Sequence, residues 1–233
     1  MAVAAATGSV AAFELGLHFN LSEGAPLSAD LARVWPVLPG LERLIALAHR
    51  RRLPLAALAT EFRAQRDAFT DAVGRAPAFV DGHQHVHHLP GVRELMLDAL
   101  VNPSGAPSAV RNTGQVVGPG HAFKRMLIER TGGTALQRLL QDRQVRHNIA
   151  LLGVYDFRGD GYRSLLRGWL AAAPDSGGLV FCHPNHGAAN PGDPIGEARR
   201  HEALYLSSSA FTDDLADAGV TVGPAWRQSS NAG

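Results

Sequence analysis

Short apolar runs alternate along this chain with longer segments in which apolar residues recur every three or four positions. The runs predict buried strands, and the longer segments predict amphipathic helices. The predicted strands cover residues 13–19, 77–81, 108–111, 149–154, 178–183 and 220–222. The predicted helices cover residues 41–50, 54–73, 91–101, 121–129, 134–142, 162–173, 195–206 and 210–218. Strands that alternate with helices favour parallel pairing, so we expect an α/β fold, as a barrel or an open sheet.

The polar residues fall where such a fold places an active site. His18, Arg111, Asp156 and His183 stand at or just beyond the carboxyl ends of predicted strands, as does the segment 81–88. In α/β barrels the loops at that end of the strands build the active site. We therefore expect these side chains to contribute to one site.

The segment FVDGHQHVHH, residues 79–88, says most about function. Its histidines include His83, His85 and His87, at alternate positions after Asp81. If the segment is extended, these side chains share one face, because strand side chains alternate with a period of two. Imidazole is the commonest metal ligand, so the cluster predicts a metal-centred site, with a surface histidine run as the alternative. We expect His83 to be a ligand, and the other two to orient ligands or contact substrate.

Other residues at the strand ends allow two interpretations each. His18 is either a hydrogen-bonded core residue or a ligand, and the polar loop that follows it favours a ligand. His183 suits a general acid or a donor to a developing oxyanion, or it is a structural residue at the end of a strand. Arg111 either clamps a polar substrate group or forms a salt bridge. Glu202 and Arg199 are expected to pair on a helix surface.

Composition excludes several classes of protein. The 233 residues suit one domain, expected over residues 1–227, with a disordered tail at 228–233. The net charge of +1, with acidic and basic residues intermixed, argues against nucleic acid as a partner. No apolar run reaches the ~20 residues of a transmembrane helix, and the alanine-rich start lacks the basic region of a signal peptide. The single cysteine, Cys182, is expected to be buried and fits a reducing compartment, so we predict a soluble, cytoplasmic protein.

The combination of histidines and a carboxylate indicates a type of chemistry. Two or three histidines with an acid can hold a divalent ion such as zinc and leave a position for water. Such an ion lowers the pKa of the water and polarises a carbonyl group, while a nearby base and a histidine move the protons. The sequence therefore predicts hydrolysis of an amide or an ester, and the spacing alone leaves the substrate open.

Several motifs resemble those of the YdjC-like carbohydrate deacetylases. They are GLHFNLSEGAPL at residues 16–27, DGHQHVH at 81–87, GVYDF at 153–157, CHP at 182–184 and the segment 193–208. They run in the family's order over nearly the whole chain, and the first two are specific to the family. The branch associated with hopanoid biosynthesis looks closest.

The resemblance implies a distorted (β/α) TIM-like barrel, incomplete at its amino end in this chain. It also implies a hydrolase that removes N-acetyl groups from an amino sugar or glycolipid with one divalent ion, magnesium or zinc. In the family's pattern His18 and His83 bind the metal, and His183 lies in the active site. The remaining expected roles are catalysis by Asp81 and substrate contact by Asn20, His85, His87, Arg111 and Asp156.

One part of the family's pattern is absent from this chain. Family members begin with a strand that ends in an Ala-Asp-Asp-Phe-Gly motif, whose aspartates supply a metal ligand and the proposed general base. We expect that the start of the chain was assigned too late and that upstream sequence supplies this strand. The alternatives are a noncatalytic remnant that binds carbohydrate and, ranked last, another metallohydrolase such as a phosphoesterase. A barrel without its first strand exposes two sheet edges, so a homodimer is a further expectation.

Overall fold

The computed structural model describes residues 14–100, 108–187 and 192–226. The first residue of the strand expected at 13–19, the last residue of the helix expected at 91–101 and the tail expected at 228–233 lie outside these ranges. Contacts between residues divide the chain into two compact units. The N-terminal unit contains Glu14–Gln115 and Ile128–Asn148, together with Trp226, and the C-terminal unit contains Val116–Leu127 and Ile149–Ala225.

The described elements follow the predicted alternation of strands and helices. The strands are β1 (Leu17–Phe19), β2 (Phe79–Gly82), β3 (Ala109–Val110), β4 (Leu151–Leu152) and β5 (Leu179–Val180). The helices are α1 (Ala29–Val34), α2 (Leu41–His49), α3 (Leu55–Val73), α4 (Val92–Leu100), α5 (Ala122–Ile128), α6 (Thr134–Asp142), α7 (Tyr162–Ala172), α8 (Gly196–Leu206) and α9 (Ser209–Asp217). A 3-10 turn covers His83–His88, and a π-helical turn covers Glu129–Gly133. Among the residues described, no helix is both long and apolar enough to cross a membrane.

The three parallel strands of the N-terminal unit bring expected site residues to one edge of a sheet. Strand β2 lies between β1 and β3. The register pairs His18 with Asp81, and Val80 with Val110. Phe19, Val80 and Val110 are fully buried, so the sheet is anchored in the core beside the polar pair. The parallel pairing confirms the expected arrangement and explains why two residues far apart in sequence become neighbours.

Helix α3 packs against this sheet and ends as the sequence predicts. It begins directly after Pro54 and stops at Gly74, whose left-handed backbone (φ 77°) lets its N–H donate to the carbonyl oxygen of Thr70. The buried ring of Phe62 meets that of Phe19 edge to face, with ring centres 5.0 Å apart. Burial of an aromatic side chain of this size contributes roughly 1.5–3 kcal/mol, so the contact ties α3 firmly to β1.

Helix α1 is not predicted by the sequence patterns. Its six residues are too few to show a helical period. The side chain of Ser28 accepts a hydrogen bond from the N–H of Leu31, and Asp30 lies in the first turn. Both features stabilise a helix start, so the signal lies in the cap rather than in the periodicity.

The C-terminal unit has a smaller parallel sheet, in which β4 pairs with β5, and an aromatic core. The ring of the fully buried Trp169 lies 5.9 Å from that of Tyr155 and 5.8 Å from that of Tyr162. Gly153 follows β4 with a φ of 107°, and a Cβ atom there would lie 2.4 Å from the backbone oxygen of Phe181. Only glycine fits at this position, so Gly153 determines where the chain leaves the sheet after β4.

The expected α/β class with parallel sheets is confirmed, whereas one expected strand is wrong. The described residues form a mixed α/β fold with parallel sheets, in which each strand pairs over only two to four residues, and they contain no closed barrel. The strand expected at 220–222 has no regular structure, and Val222 is 78% exposed. Its β-branched residues have strand propensity, but a strand also needs a paired neighbour, and the described part of the chain provides none there.

Candidate functional site

His18 and Asp81 form the centre of the candidate site in the N-terminal unit. His18 Nδ1 lies 2.6 Å from Asp81 Oδ1, and Arg111 Nη1 lies 2.8 Å from Asp81 Oδ2. Burial raises the pKa of Asp81, but the guanidinium of Arg111 and the hydrogen bond of His18 outweigh it and lower the pKa to about 2. The ionised carboxylate can only accept, so the Nδ1 atom of His18 carries the proton and donates it.

His83 reaches the same place by a turn in the backbone. The chain leaves the extended conformation after Gly82, and Gln84 and His85 have left-handed backbones, with φ values of 49° and 62°. His83 comes directly after β2, and its Nδ1 atom lies within hydrogen-bond distance of His18 Nε2, at 3.3 Å. The two rings are nearly perpendicular, with centres 5.4 Å apart. The structure thus brings together the two expected metal ligands.

The segment is not extended, because His83–His88 forms a 3-10 turn, so the condition for a shared strand face is not met. His87 is fully buried, and its Nε2 atom lies 2.8 Å from the backbone oxygen of Arg111. Burial and the charge of Arg111 lower the pKa of His87 to about 3, so its ring is neutral and donates this bond. A Cβ atom on Gly82 would lie 2.6 Å from His87 Nδ1, so the turn requires glycine there. His87 therefore packs behind the site.

Arg111 braces the turn from the interior. Only 5% of this residue is exposed. Besides its ion pair with Asp81, its Nη2 atom donates to the backbone oxygen of Gly82 at 2.6 Å and lies 3.3 Å from His85 Nδ1. This geometry favours the salt-bridge interpretation over the substrate clamp. Direct contact of Arg111 or His85 with a substrate stays a prediction.

The loop after β1 contributes an acidic residue that the sequence patterns did not single out. Glu23 Oε1 lies 3.1 Å from His83 Nε2 and 3.2 Å from Gln84 Nε2. Asn20 shapes this loop, since its Oδ1 atom accepts from the backbone N–H groups of Ser22 and Glu23, and its Nδ2 atom donates to the Glu23 oxygen at 2.7 Å. The amide of Asn20 is thus engaged within the loop, and its expected substrate contact stays a prediction. The signal for Glu23 was its place in the polar loop directly after His18.

Two side chains of α3 hold both ends of that loop. Gln65 accepts from the backbone N–H of Asn20 at 3.0 Å and donates to its oxygen at 2.7 Å. Glu61 accepts from the N–H groups of Leu27 and Ser28, at 3.0 Å and 2.7 Å. Burial raises the pKa of Glu61, but the hydrogen bonds from Gln65 and the two backbone amides outweigh it and lower the pKa. The loop is therefore fixed by the helix and not only by its own contacts.

The geometry of the two histidines fits one edge of a coordination sphere. Two nitrogen ligands at about 2.0–2.1 Å from a tetrahedral zinc lie roughly 3.3 Å apart, which matches the separation of His18 Nε2 and His83 Nδ1. Within the described ranges no group of three His, Cys, Asp or Glu residues could hold a metal ion. These residues thus offer two of the three or more protein ligands that zinc sites normally have.

His183 lies in the C-terminal unit, where an acidic residue holds its backbone. Glu202 is fully buried, accepts from the hydroxyl of Tyr155 at 2.5 Å and also accepts from the backbone N–H of His183. The ring of His183 packs edge-on against Phe157 and Phe181, with centres 5.3 Å and 5.6 Å away. The expectation that Glu202 lies on a helix surface is wrong, because α8 turns this residue toward the aromatic core.

Two further expectations concern the same unit. Cys182 is exposed, so its expected burial is wrong, and β5 ends two residues before it, at Val180. Asp156 is exposed, and its Oδ1 atom accepts from the backbone N–H of Arg158 at 3.2 Å. Its expected substrate contact stays a prediction.

Comparison with known proteins gives one family and several partial relatives. The family model described as YdjC-like protein matches residues 1–217. A carbohydrate deacetylase of Danio rerio is 37% identical over 91 residues, which cover 37% of this chain and 29% of that protein. The carbohydrate deacetylase of Mus musculus is 40% identical over 36% of this chain and 29% of its own length. A chitooligosaccharide deacetylase of Enterobacter sp. (strain 638) is 35% identical over 35% of this chain and 32% of its own length.

These matches cover less than a third of each of the three relatives. Among solved structures, a protein of Enterococcus faecalis V583 for which cellobiose-phosphate cleavage has been suggested matches with a TM-score of 0.63. It is 18% identical, and the match covers 90% of this chain and 76% of that one. This likeness supports the fold alone.

Proposed function

Because the chain belongs to the YdjC-like protein family, whose model matches residues 1–217, we propose that it is a metal-dependent carbohydrate deacetylase. The reaction is hydrolysis of the acetamide of an N-acetylated amino sugar or glycolipid, with one divalent cation, magnesium or zinc, held by His18 and His83. Relatives named carbohydrate deacetylase and chitooligosaccharide deacetylase support the reaction. The facing ring nitrogens of the two histidines support the cation.

The contacts of the two imidazole rings are the observation on which the proposed cation rests. The carboxylate of Asp81 lies 2.6 Å from His18 Nδ1, and that of Glu23 lies 3.1 Å from His83 Nε2. The other two ring nitrogens, His18 Nε2 and His83 Nδ1, face each other at 3.3 Å. Three contacts need a proton or a cation, and two neutral rings carry two N–H groups, so a bound cation or a third proton completes the set. If both protons point at the carboxylates, two lone pairs face each other, and a cation between them removes the repulsion.

In the proposed reaction the cation would polarise the substrate, and the side chains would position the ligands and move protons. When bound, a divalent ion supplies Lewis acidity that polarises the acetamide carbonyl and favours ionisation of water. Asp81 acts by fixing His18, because both of its oxygens are engaged and its low pKa makes it a weak base. We therefore assign it a positioning role in place of the expected transfer of a proton. For His183 we keep the role of acid or oxyanion donor that its place at the end of a predicted strand suggested.

The expected substrate contacts divide by exposure. Asn20 and His85 lie around the histidine pair and are partly exposed, whereas His87 and Arg111 are buried and act through the residues that they brace. The distorted barrel belongs to the proposal as well. The parallel order of β1, β2 and β3, with the polar residues at their carboxyl ends, supports it.

The test is metal binding together with acetate release. Calorimetry with zinc and with magnesium should show a single site of micromolar affinity, and N-acetylglucosamine oligomers should release acetate. A version extended upstream should do both more strongly if it supplies further ligands. Binding of the oligomers without metal uptake or acetate release in either version would instead establish the noncatalytic carbohydrate-binding protein, which the two-ligand site favours as the second candidate.

A further inference from the structure

We infer that Arg199 is a positioning residue for His183: together with Glu202 it holds the backbone of His183 from α8 and so fixes where the imidazole lies. The inference rests on the role proposed for His183 and deepens it by naming the groups that place the ring. Residues three positions apart in a helix are neighbours on one face, so a single face of α8 presents a donor and an acceptor to the same peptide segment.

The two side chains engage both backbone polar groups of His183. The carboxylate of Glu202 accepts from the N–H of His183, and Arg199 Nη1 donates to its carbonyl oxygen at 3.3 Å. The backbone of α8 adds a third contact, since the N–H of Asn185 donates to the carbonyl oxygen of Arg199 at 3.1 Å. The segment after β5 is thus held by α8 on both sides of Pro184.

His183 lies beyond the end of the strand that leads to it. Strand β5 ends at Val180, and the N–H of Phe181 donates to the carbonyl oxygen of Leu152 in β4 at 3.1 Å. Partly buried backbone beyond the end of a strand needs other partners for its polar groups. Two side chains of α8 supply such partners, so the place of His183 depends on this helix as well as on β5.

Asp193 directs the guanidinium of Arg199. Its Oδ2 atom lies 2.8 Å from Arg199 Nε, and its Oδ1 atom accepts from the backbone N–H of Ile195 at 3.0 Å, just before α8 begins. The donors of a guanidinium form a rigid planar fork, so a carboxylate at Nε also sets the direction of the Nη1 donor. The side chain of Arg199 is 31% exposed, and ion pairs of such exposure contribute little to stability, so a variant should still fold.

The surroundings of His183 make its position measurable. Its ring meets those of Phe157 and Phe181 edge to face, with centres 5.3 Å and 5.6 Å away. Aromatic rings at this distance displace the NMR resonances of neighbouring protons, and the displacement falls steeply as the distance grows. The ring protons of His183 therefore report whether its backbone is held in place.

The test reads the position of the ring in the chain of 233 residues. The ring resonances of His183, identified by their loss in His183→Ala, should be displaced from those of an exposed histidine. Arg199→Ala should move them toward the exposed values, with unchanged helical circular dichroism. Arg199→Lys should give a smaller change in the same direction, because an ammonium group keeps the charge and lacks the planar fork. In a version of the chain that is active, Arg199→Ala should lower kcat about 10-fold and leave KM within about twofold.

A matched control and the contrary outcomes separate this inference from the proposed function. Arg200→Ala, at the exposed position that follows in α8, should leave the His183 resonances and kcat unchanged. Parent-like His183 resonances in both Arg199 variants would overturn the inference, even if the chain releases acetate. Displaced resonances together with full turnover would leave the positioning of the ring by Arg199 standing and refute the acid or oxyanion role of His183.

Discussion

The two units use the pairing of a histidine with an acid in different ways. In the N-terminal unit, Asp81 and Glu23 lie at the ring nitrogens of His18 and His83. In the C-terminal unit, the acid accepts from the backbone N–H of its histidine, and aromatic rings flank the imidazole. The first arrangement places a carboxylate beside each ring and brings two ring nitrogens within 3.3 Å of each other, which suits the proposed cation. The second fixes where the ring lies, with Glu202 Oε1 3.9 Å from His183 Nδ1, which suits the proposed acid or oxyanion donor.

The largest effect should come from removing a ligand in the first arrangement. His83→Ala should weaken zinc binding by at least about 100-fold, because a two-ligand edge then becomes a single ligand. Calorimetry measures this, with His186→Ala as the control, since His186 is an exposed histidine in the C-terminal unit. Equal zinc affinity in both variants would show that the histidine pair is not the metal site.

Removing the ring in the second arrangement should affect turnover and not binding. His183→Ala should lower acetate release about 10²-fold in a version of the chain that is active, the range expected for a lost acid or oxyanion donor. Zinc affinity should stay within experimental error of the parent value. Full turnover in this variant would contradict the role assigned to His183.

The acid of the second arrangement should matter for stability. Glu202→Ala leaves the hydroxyl of Tyr155 and the N–H of His183 without their acceptor inside the protein, so we expect a loss of about 2 kcal/mol in the free energy of unfolding. Glu197→Ala, at an exposed position of the same helix, should cost less than ~0.5 kcal/mol. Chemical denaturation distinguishes the two, and comparable stability of both variants would argue against the buried network.

The smallest effect should come from loosening the loop of the first arrangement. Gln65→Ala removes the two hydrogen bonds to the backbone of Asn20, so we expect a loss of about 1 kcal/mol and a few-fold weaker zinc binding. Arg63→Ala, on the exposed face of the same helix, is the control. A stability loss without any change in zinc affinity would show that zinc binding does not depend on how α3 holds the loop.

Parallel pairing was predictable from the sequence. It places His18 beside Asp81, because parallel strands end at the same edge of the sheet. The long helix α3 was also predictable, since Pro54 and Gly74 mark its limits. The turn after Gly82 was not, because alternate histidines look the same in an extended strand and in a turn. Glu23 and Glu202 were missed for another reason: their partners lie 60 and 19 residues away along the chain, so no local pattern identifies them.

The left-handed backbones of Gln84 and His85 have a consequence for the evolution of this segment. Residues other than glycine pay a conformational penalty there, of about 1–3 kcal/mol at each position, which the rest of the unit must offset. Glycine at either position would relieve that penalty, yet it would also let the loop sample many more conformations before a ligand arrives. Selection for robustness and selection for a ready-made binding geometry therefore act in opposite directions on these two residues.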